Sequence, residues 1–454
     1  MPSSFAGVLF RKQVMDSNKI RVGLVGFGTV GAGVADLLLN GAETIRAKTS
    51  LDIELATVVD LDTTSRRPVK LPAGMLTDDI GTLVNDETID IGVELIGGTT
   101  VAKDIQLKML AAGKDVVTAN KALLARHGAE LYAAARKAHK CIAFEASCAG
   151  GIPIVLAIRT GLAANRIDAI YGILNGTCNY ILTNMTQNNL DFAVALSQAQ
   201  EKGYAEADPT LDINGADSAH KLAILTGLAF ACEIKLEDIS IEGIEGVSID
   251  DIRNGQEMGY VLKLLAIGER DAEGKISLRV HPSFLHSDNP LARVDGPFNA
   301  ISVFAHAVGH TMYCGRGAGM MPTASAVVAV SIMSATGNSK RVFDNLALLP
   351  RAQTEPLIND ISSLNSRFYI RLMAKDQPGV FAAYGRILGD HGISISGALQ
   401  HEGSGPDNTV PVVITTYATK QKNMTAALDE LARLDAVGGK PVCIRIVDIP
   451  EDRD

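Results

Sequence analysis

No stretch of this chain approaches the roughly 20 consecutive apolar residues that a membrane span requires. Membrane insertion is therefore not expected. Near the N-terminus only FAGVLF is apolar, shorter than a signal-peptide core, and Arg11 and Lys12 follow it. Residues 1–18 are expected to form a disordered extension, with Met15 a second candidate start. Cysteine is sparse and scattered: Cys141, Cys148, Cys178, Cys232, Cys314 and Cys443 lack the short spacings of a zinc site or a disulfide framework. Most sit in apolar surroundings and read as buried thiols, with a reducing cytoplasm as the expected compartment. Long runs of one charge are missing too. The 42 basic and 51 acidic residues leave a net charge of −9, spread along the chain, which argues against nucleic acid or an anionic membrane as partner.

What is present is a chain of 454 residues, 47% hydrophobic, long enough for two or three cores. Residues 20–147 alternate strand-like and helix-like segments. RVGLVGF, IELATVVD, IGVELIG, DVVTAN and CIAFEAS have the Val- and Ile-rich character of buried strands. The helical patterns between them argue for a Rossmann-type α/β domain, a doubly wound parallel sheet over residues 19–150. Residues 151–317 are expected to form an α+β domain with a mixed sheet, its strands LRVHPSFL, FNAISVFAH and VGHTMYCG. A helix, TASAVVAVSIMSA, follows Pro322, and residues 341–365 read as a linker. Residues 366–450 give the order βαββαβ, a ferredoxin-like unit expected to stand as a third domain.

Gly26, Gly28 and Gly31 have G-x-G-x-x-G spacing directly between a strand and a helix. That context points to dinucleotide binding, with the pyrophosphate against the N–H groups of Phe27, Thr29 and Val30 at the helix start. Asp60 ends the second strand, 29 residues after Gly31, where a carboxylate holds a ribose 2′-OH and favours NAD. Arg66 and Arg67 follow within one loop and would suit the 2′-phosphate of NADP, so either cofactor remains open. GGTT (97–100) and TANK (118–121) also end strands, where open α/β sheets place their ligands. Lys121 starts a helix, next to the positive end of its dipole. A lysine there is solvated or reserved for an anion or a reacting oxygen.

KGYAEADPTLDINGADSAHK, residues 202–221, concentrates charge between two apolar helices. A helix starting near Gly215 places Asp217 and Lys221 as i,i+4 neighbours on one face. Asp212 and Asn214 also suit helix caps, Asp208 before Pro209 suits a turn, and Lys202 and His220 read as solvated.

GFGTVG, ELIGGT, VTANKALLA, FEASCAGGIP, ILNGTCNYIL, the 202–221 segment and GRGAGMMPTASAVV together resemble homoserine dehydrogenase over roughly residues 20–340. The C-terminal unit, with DQPGV at its first strand–helix turn, resembles an ACT domain. The resemblance implies NAD(P)-dependent interconversion of L-homoserine and L-aspartate 4-semialdehyde in threonine, methionine and isoleucine biosynthesis. It assigns Lys221, Asp217 and Lys121 to catalysis and Glu206, Asp212, Tyr204, Gly176 and Thr177 to the substrate. Thr99 and Gly317 join the cofactor site, and residues 318–340 complete the nucleotide domain. It further implies a sodium or potassium ion near Glu145, held by carbonyls of Cys148, Gly150 and Ile152. Residues 151–317 also become a dimerisation surface, giving a homodimer or homotetramer, and threonine becomes a candidate effector of the ACT-like unit.

Two other readings compete. Cys148, after a strand at the domain junction, resembles the nucleophile of an acylating semialdehyde dehydrogenase. A non-catalytic amino-acid sensor on a retained nucleotide fold is the other, although the lysines and the glycine fingerprint are intact.

Overall fold

The computed structural model describes residues 19–345, 356–401 and 409–450. The extension expected at 1–18 lies outside the described residues, as does the middle of the expected linker.

Six parallel strands form the first sheet: β1 (Lys19–Val25), β2 (Asp52–Val59), β3 (Leu76–Thr77), β4 (Ile91–Glu94), β5 (Asp115–Thr118) and β6 (Ile142–Ala143). Their order is β3-β2-β1-β4-β5-β6, that of a dinucleotide-binding sheet. The strand order reverses between β1 and β4, so the loops after these two strands flank the crevice where such sheets bind ligands. Helices Thr29–Asn40 and Met320–Ala335 cover one face, and Val101–Ala111 and Lys121–Lys137 cover the other. The late helix fits closely. A Cβ on Gly33 would lie 2.9 Å from that of Ala324. β6 is shorter than CIAFEAS suggests, because the chain leaves the sheet for a single 3-10 turn at Glu145–Ser147.

The second sheet is mixed. It contains β7 (Ile167–Ile173), β8 (Ser240–Ile241), β9 (Tyr260–Arg270), β10 (Ile276–His286), β11 (Phe298–Ala305) and β12 (Gly309–Arg316). It continues through β13 (Asn365–Lys375), β14 (Ile395–Gln400), β15 (Thr409–Thr416), β16 (Thr419–Lys420) and β17 (Val442–Ile446). The main path runs β12-β11-β7-β9-β10-β17-β13-β15-β14. β7 and β9 were absent from the sequence reading, yet β9 is paired along its full length with β10. The C-terminal unit keeps the expected βαββαβ order but does not stand apart. Its strand β17 pairs in parallel with β10 through Ser283–Arg445 and Phe284–Ile446. Behind this seam, Arg371 of β13 donates from Nε to the fully buried carboxylate of Asp251 at 2.6 Å, and Tyr369 Oη donates to it at 3.0 Å.

Among the described residues no single helix is long and apolar enough to cross a membrane.

Candidate active site

The glycine loop is built as its spacing predicts. Gly26 has φ +98°, and a Cβ on Gly31 would lie 2.0 Å from the Gly26 carbonyl oxygen. A Cβ on Gly28 would meet nothing within 4 Å, so open space faces the helix N-terminus there. Asp60 buttresses this loop. Its carboxylate accepts from the N–H of Phe27 at 2.6 Å and of Asp62 at 2.9 Å. Arg67 donates to the Phe27 carbonyl and pairs with Asp62, whereas Arg66 and Lys70 are exposed along a cleft that Phe27 also lines.

Glu94, which the sequence reading passed over, organises the next two strand ends. It is fully buried at the end of β4 and accepts from the N–H groups of Ile96 and Gly97. Its second oxygen takes Gln106 Nε2 at 2.8 Å and Thr118 Oγ1 at 2.9 Å. A lone acid inside the apolar run IGVELIG was the available signal. Asn120 then joins the loops: its amide donates to the Gly98 carbonyl, and its oxygen caps the helix that begins with Lys121. Thr99 lies in the GGTT loop between these anchors.

The charged turn meets Lys121 across the domain junction. Helix Ala216–Phe230 starts after Gly215, whose φ of +87° suits glycine. Within it Asp217 Oδ2 lies 2.6 Å from Lys221 Nζ, and Asp217 Oδ1 lies 3.1 Å from Lys121 Nζ. Burial opposes ionisation of Asp217, but the adjacent Lys221 and Lys121 outweigh it and hold the carboxyl well below the usual carboxylate range. The Asp217 charge raises the pKa of Lys121 against the opposing effect of burial, so Lys121 remains an ammonium. Lys221 Nζ also donates to the Leu174 carbonyl at 2.7 Å, leaving one of its three protons uncommitted.

Asn175, also unforeseen, ties the site to the following helix. Its amide nitrogen donates to Asp212 Oδ1 at 2.7 Å and Asp217 Oδ2 at 2.9 Å. Its oxygen caps helix Gly176–Asn188 through the Cys178 N–H. Burial and the neighbouring Asp217 raise the pKa of Asp212. Thr177 Oγ1 donates to the carbonyl of Tyr204, whose ring stands 4.8 Å from that of Tyr180. Glu206 is exposed, and its backbone carbonyl accepts from Gln200 Nε2. Gly176 and Gly317 both flank Asn299, since a Cβ on Gly317 would lie 2.1 Å from Asn299 Cγ. Asn214 Oδ1 accepts from the Ala216 N–H in a turn ahead of the Asp217 helix, which has no side-chain cap, and Asp208 binds Thr210. His220 departs from expectation: it is half-buried, and burial lowers its pKa.

Glu145 accepts from the N–H groups of Val155 at 3.0 Å and Leu156 at 2.8 Å, while burial pushes its carboxyl up to about 7. This pull also explains the early end of β6. Ala149 and Gly150 both have positive φ, turning the loop that carries the Cys148, Gly150 and Ile152 carbonyls. The Ile152 carbonyl accepts the Ile154 N–H at 2.8 Å and retains a second lone pair. Neutral oxygen donors of this kind fit a hard monovalent cation. Cys148 itself is buried, its thiol pushed up to about 12, which makes it a poor nucleophile.

In the C-terminal unit, Asp376, Gln377, Pro378 and Gly379 line a cleft of about 390 Å³ together with Phe381 and Gln400.

Residues 153–330 match the homoserine dehydrogenase family, residues 26–145 its NAD-binding domain, and residues 368–436 the ACT domain. A homoserine dehydrogenase of Pseudomonas aeruginosa is 42% identical over 433 residues, 94% of this chain and 98% of that protein. The crystal structure of a homoserine dehydrogenase from Thiobacillus denitrificans superposes with a TM-score of 0.86 at 40% identity, covering 95% and 98% of the two chains. A hyperthermophilic archaeal homoserine dehydrogenase mutant in complex with NADPH aligns with a TM-score of 0.57 at 25% identity, covering 70% of this chain and 98% of its own. With a dinucleotide fold, a carboxylate bridging two lysines and this kinship in place, the chain belongs to the homoserine dehydrogenases, the NAD(P)-dependent oxidoreductases that act on homoserine and aspartate semialdehyde.

Proposed function

We propose that the reacting oxygen of L-homoserine or L-aspartate 4-semialdehyde sits between Lys221 and Lys121, and that Asp217 holds both lysines on it. The carrying observation is the Asp217 bridge, which contacts one lysine from each domain. Bound NAD(P) supplies the hydride acceptor for oxidation and the donor for reduction. During reduction the free proton of Lys221 is delivered to the developing alkoxide while the Lys121 ammonium stabilises its charge. During oxidation the homoserine hydroxyl loses its proton to the same lysine. Asp212 and Glu206 receive the substrate ammonium, with Tyr204, Gly176 and Thr177 beside it.

Thr29 and Val30 present N–H groups to the pyrophosphate, whereas the N–H expected from Phe27 is already taken by Asp60; Gly26, Gly28 and Gly31 permit the approach, with Thr99 and Gly317 nearby. Asp60 has its carboxylate on the glycine loop, and Arg66 and Lys70 border the adjacent cleft. That distribution supports NADP alongside NAD. The carbonyls of Cys148, Gly150 and Ile152 would hold sodium or potassium, fixing the loop beside Glu145. The cleft at Asp376–Gly379 would take threonine, and the working enzyme is a cytoplasmic homo-oligomer.

The test is nicotinamide absorbance on mixing L-homoserine with NAD or NADP, for the wild type and Lys221→Ala. The wild type should reduce cofactor, and the variant should lose roughly 100- to 10,000-fold in kcat with little change in cofactor affinity. An equal loss of cofactor affinity without a specific kcat defect would remove Lys221 from this role.

A further inference from the structure

A second cavity lies between the two helices that carry the catalytic lysines. Leu124, Ala125, Arg126 and Tyr132 form one wall, from the helix that starts at Lys121. Ile224 and Leu228 face them from the helix of Lys221, with Glu233 at its margin. Ile224 is one turn beyond Lys221 and Leu124 one turn beyond Lys121, so the cavity spans the domain junction just behind the active site.

Its lining combines apolar walls with two charged groups, one guanidinium and one carboxylate, from the exposed Arg126 and the half-buried Glu233. Neither side chain makes an ion pair or hydrogen bond among the described residues, with each other or with anything else. Two opposite charges on one cavity that stay apart leave both to complement a ligand carrying the opposite pair. The space open to the centres of water molecules is 70 Å³. At roughly 10–15 Å³ per water this holds about five waters, or about 150 Å³ of liquid, the bulk of a small aliphatic molecule.

We propose that this cavity binds a small aliphatic α-amino acid as its zwitterion, with the carboxylate on Arg126, the ammonium on Glu233 and the side chain against Leu124, Ile224 and Leu228. The site is distinct from the active site and from the Asp376–Gly379 cleft. Because the ligand touches both walls, its affinity is linked to how the two lysine-bearing helices are spaced.

Isothermal titration of the full chain with L-valine, without substrate or cofactor, tests the site. Saturable binding is expected in the wild type and in Asp376→Asn, with at least tenfold weakening in Arg126→Met and in Glu233→Gln. L-Valinamide and N-acetyl-L-valine, each missing one charge, should bind at least tenfold more weakly than L-valine. The proposal is overturned if L-valine gives no saturable binding, or if both neutralised derivatives bind as well as L-valine does. Binding that survives Arg126→Met and is abolished by Asp376→Asn would assign it to the C-terminal cleft and overturn the proposal equally.

Discussion

Asp217 is a single carboxylate serving two ammonium groups, and this makes its charge part of the acid stability of the fold. Its folded pKa lies below the ordinary value of 3.8, so the carboxylate contributes stability at neutral pH. That contribution is fully present above the unfolded value and is lost as the pH falls from about 4 toward the folded one. Asp217→Asn should therefore flatten the acid limb of a plot of urea midpoint against pH, while lowering the midpoint at pH 7. An unchanged acid limb would show that Asp217 is not a principal source of it. The Asp217–Lys221 pair was legible in the sequence because an i,i+4 spacing on an apolar helix carries its own geometry. Asn175 and Glu94 were not. Each acts through groups distant in sequence, 42 residues for Asn175 on Asp217 and 24 for Thr118 on Glu94, and a lone polar residue carries no sign of such partners.

At the scale of elements, the turn from β1 into its helix rests on one close approach. With a Cβ on Gly31 only 2.0 Å from the Gly26 carbonyl oxygen, Gly31→Ala must push the helix away from the loop. The expected cost is about 1–3 kcal/mol of stability from overpacking, together with weaker NAD(P) binding, both measurable by thermal melts with and without cofactor. Cofactor binding unchanged in a folded variant would show that the loop tolerates the shift. The first sheet was readable because alternating strand and helix patterns are local. β7 and β9 were missed for the opposite reason. β9 is buried on both faces over most of its length, so YVLKLLAIGER shows no alternation, and its partners are fixed only by tertiary pairing.

For the whole molecule, the C-terminal unit is tied to the middle of the chain by a sheet seam and by the Arg371–Asp251 pair. Asp251 is fully buried and Arg371 partly so, with 15% of its side chain exposed, and removing one partner leaves the other charge without compensation. Asp251→Ala should cost about 3–5 kcal/mol, seen as a drop in the urea midpoint of the entire chain rather than of a separate C-terminal transition. Two resolved transitions, with only the smaller one shifted, would mean that the units unfold independently. The sequence reading separated these units because βαββαβ is complete in itself, and nothing in its pattern marks an edge strand that will join another sheet.

The seam also has a consequence in time. β17 follows every other strand among the described residues, yet it occupies the middle of the second sheet, between β10 and β13. During synthesis, β7 through β12 emerge long before residues 442–446 can reach them. Until then, the edge of β10 at Ser283 and Phe284 waits without its parallel neighbour. The centre of this sheet is therefore the last part to be completed, and a ribosome stalled short of β17 would hold two half-sheets with no strand to join them.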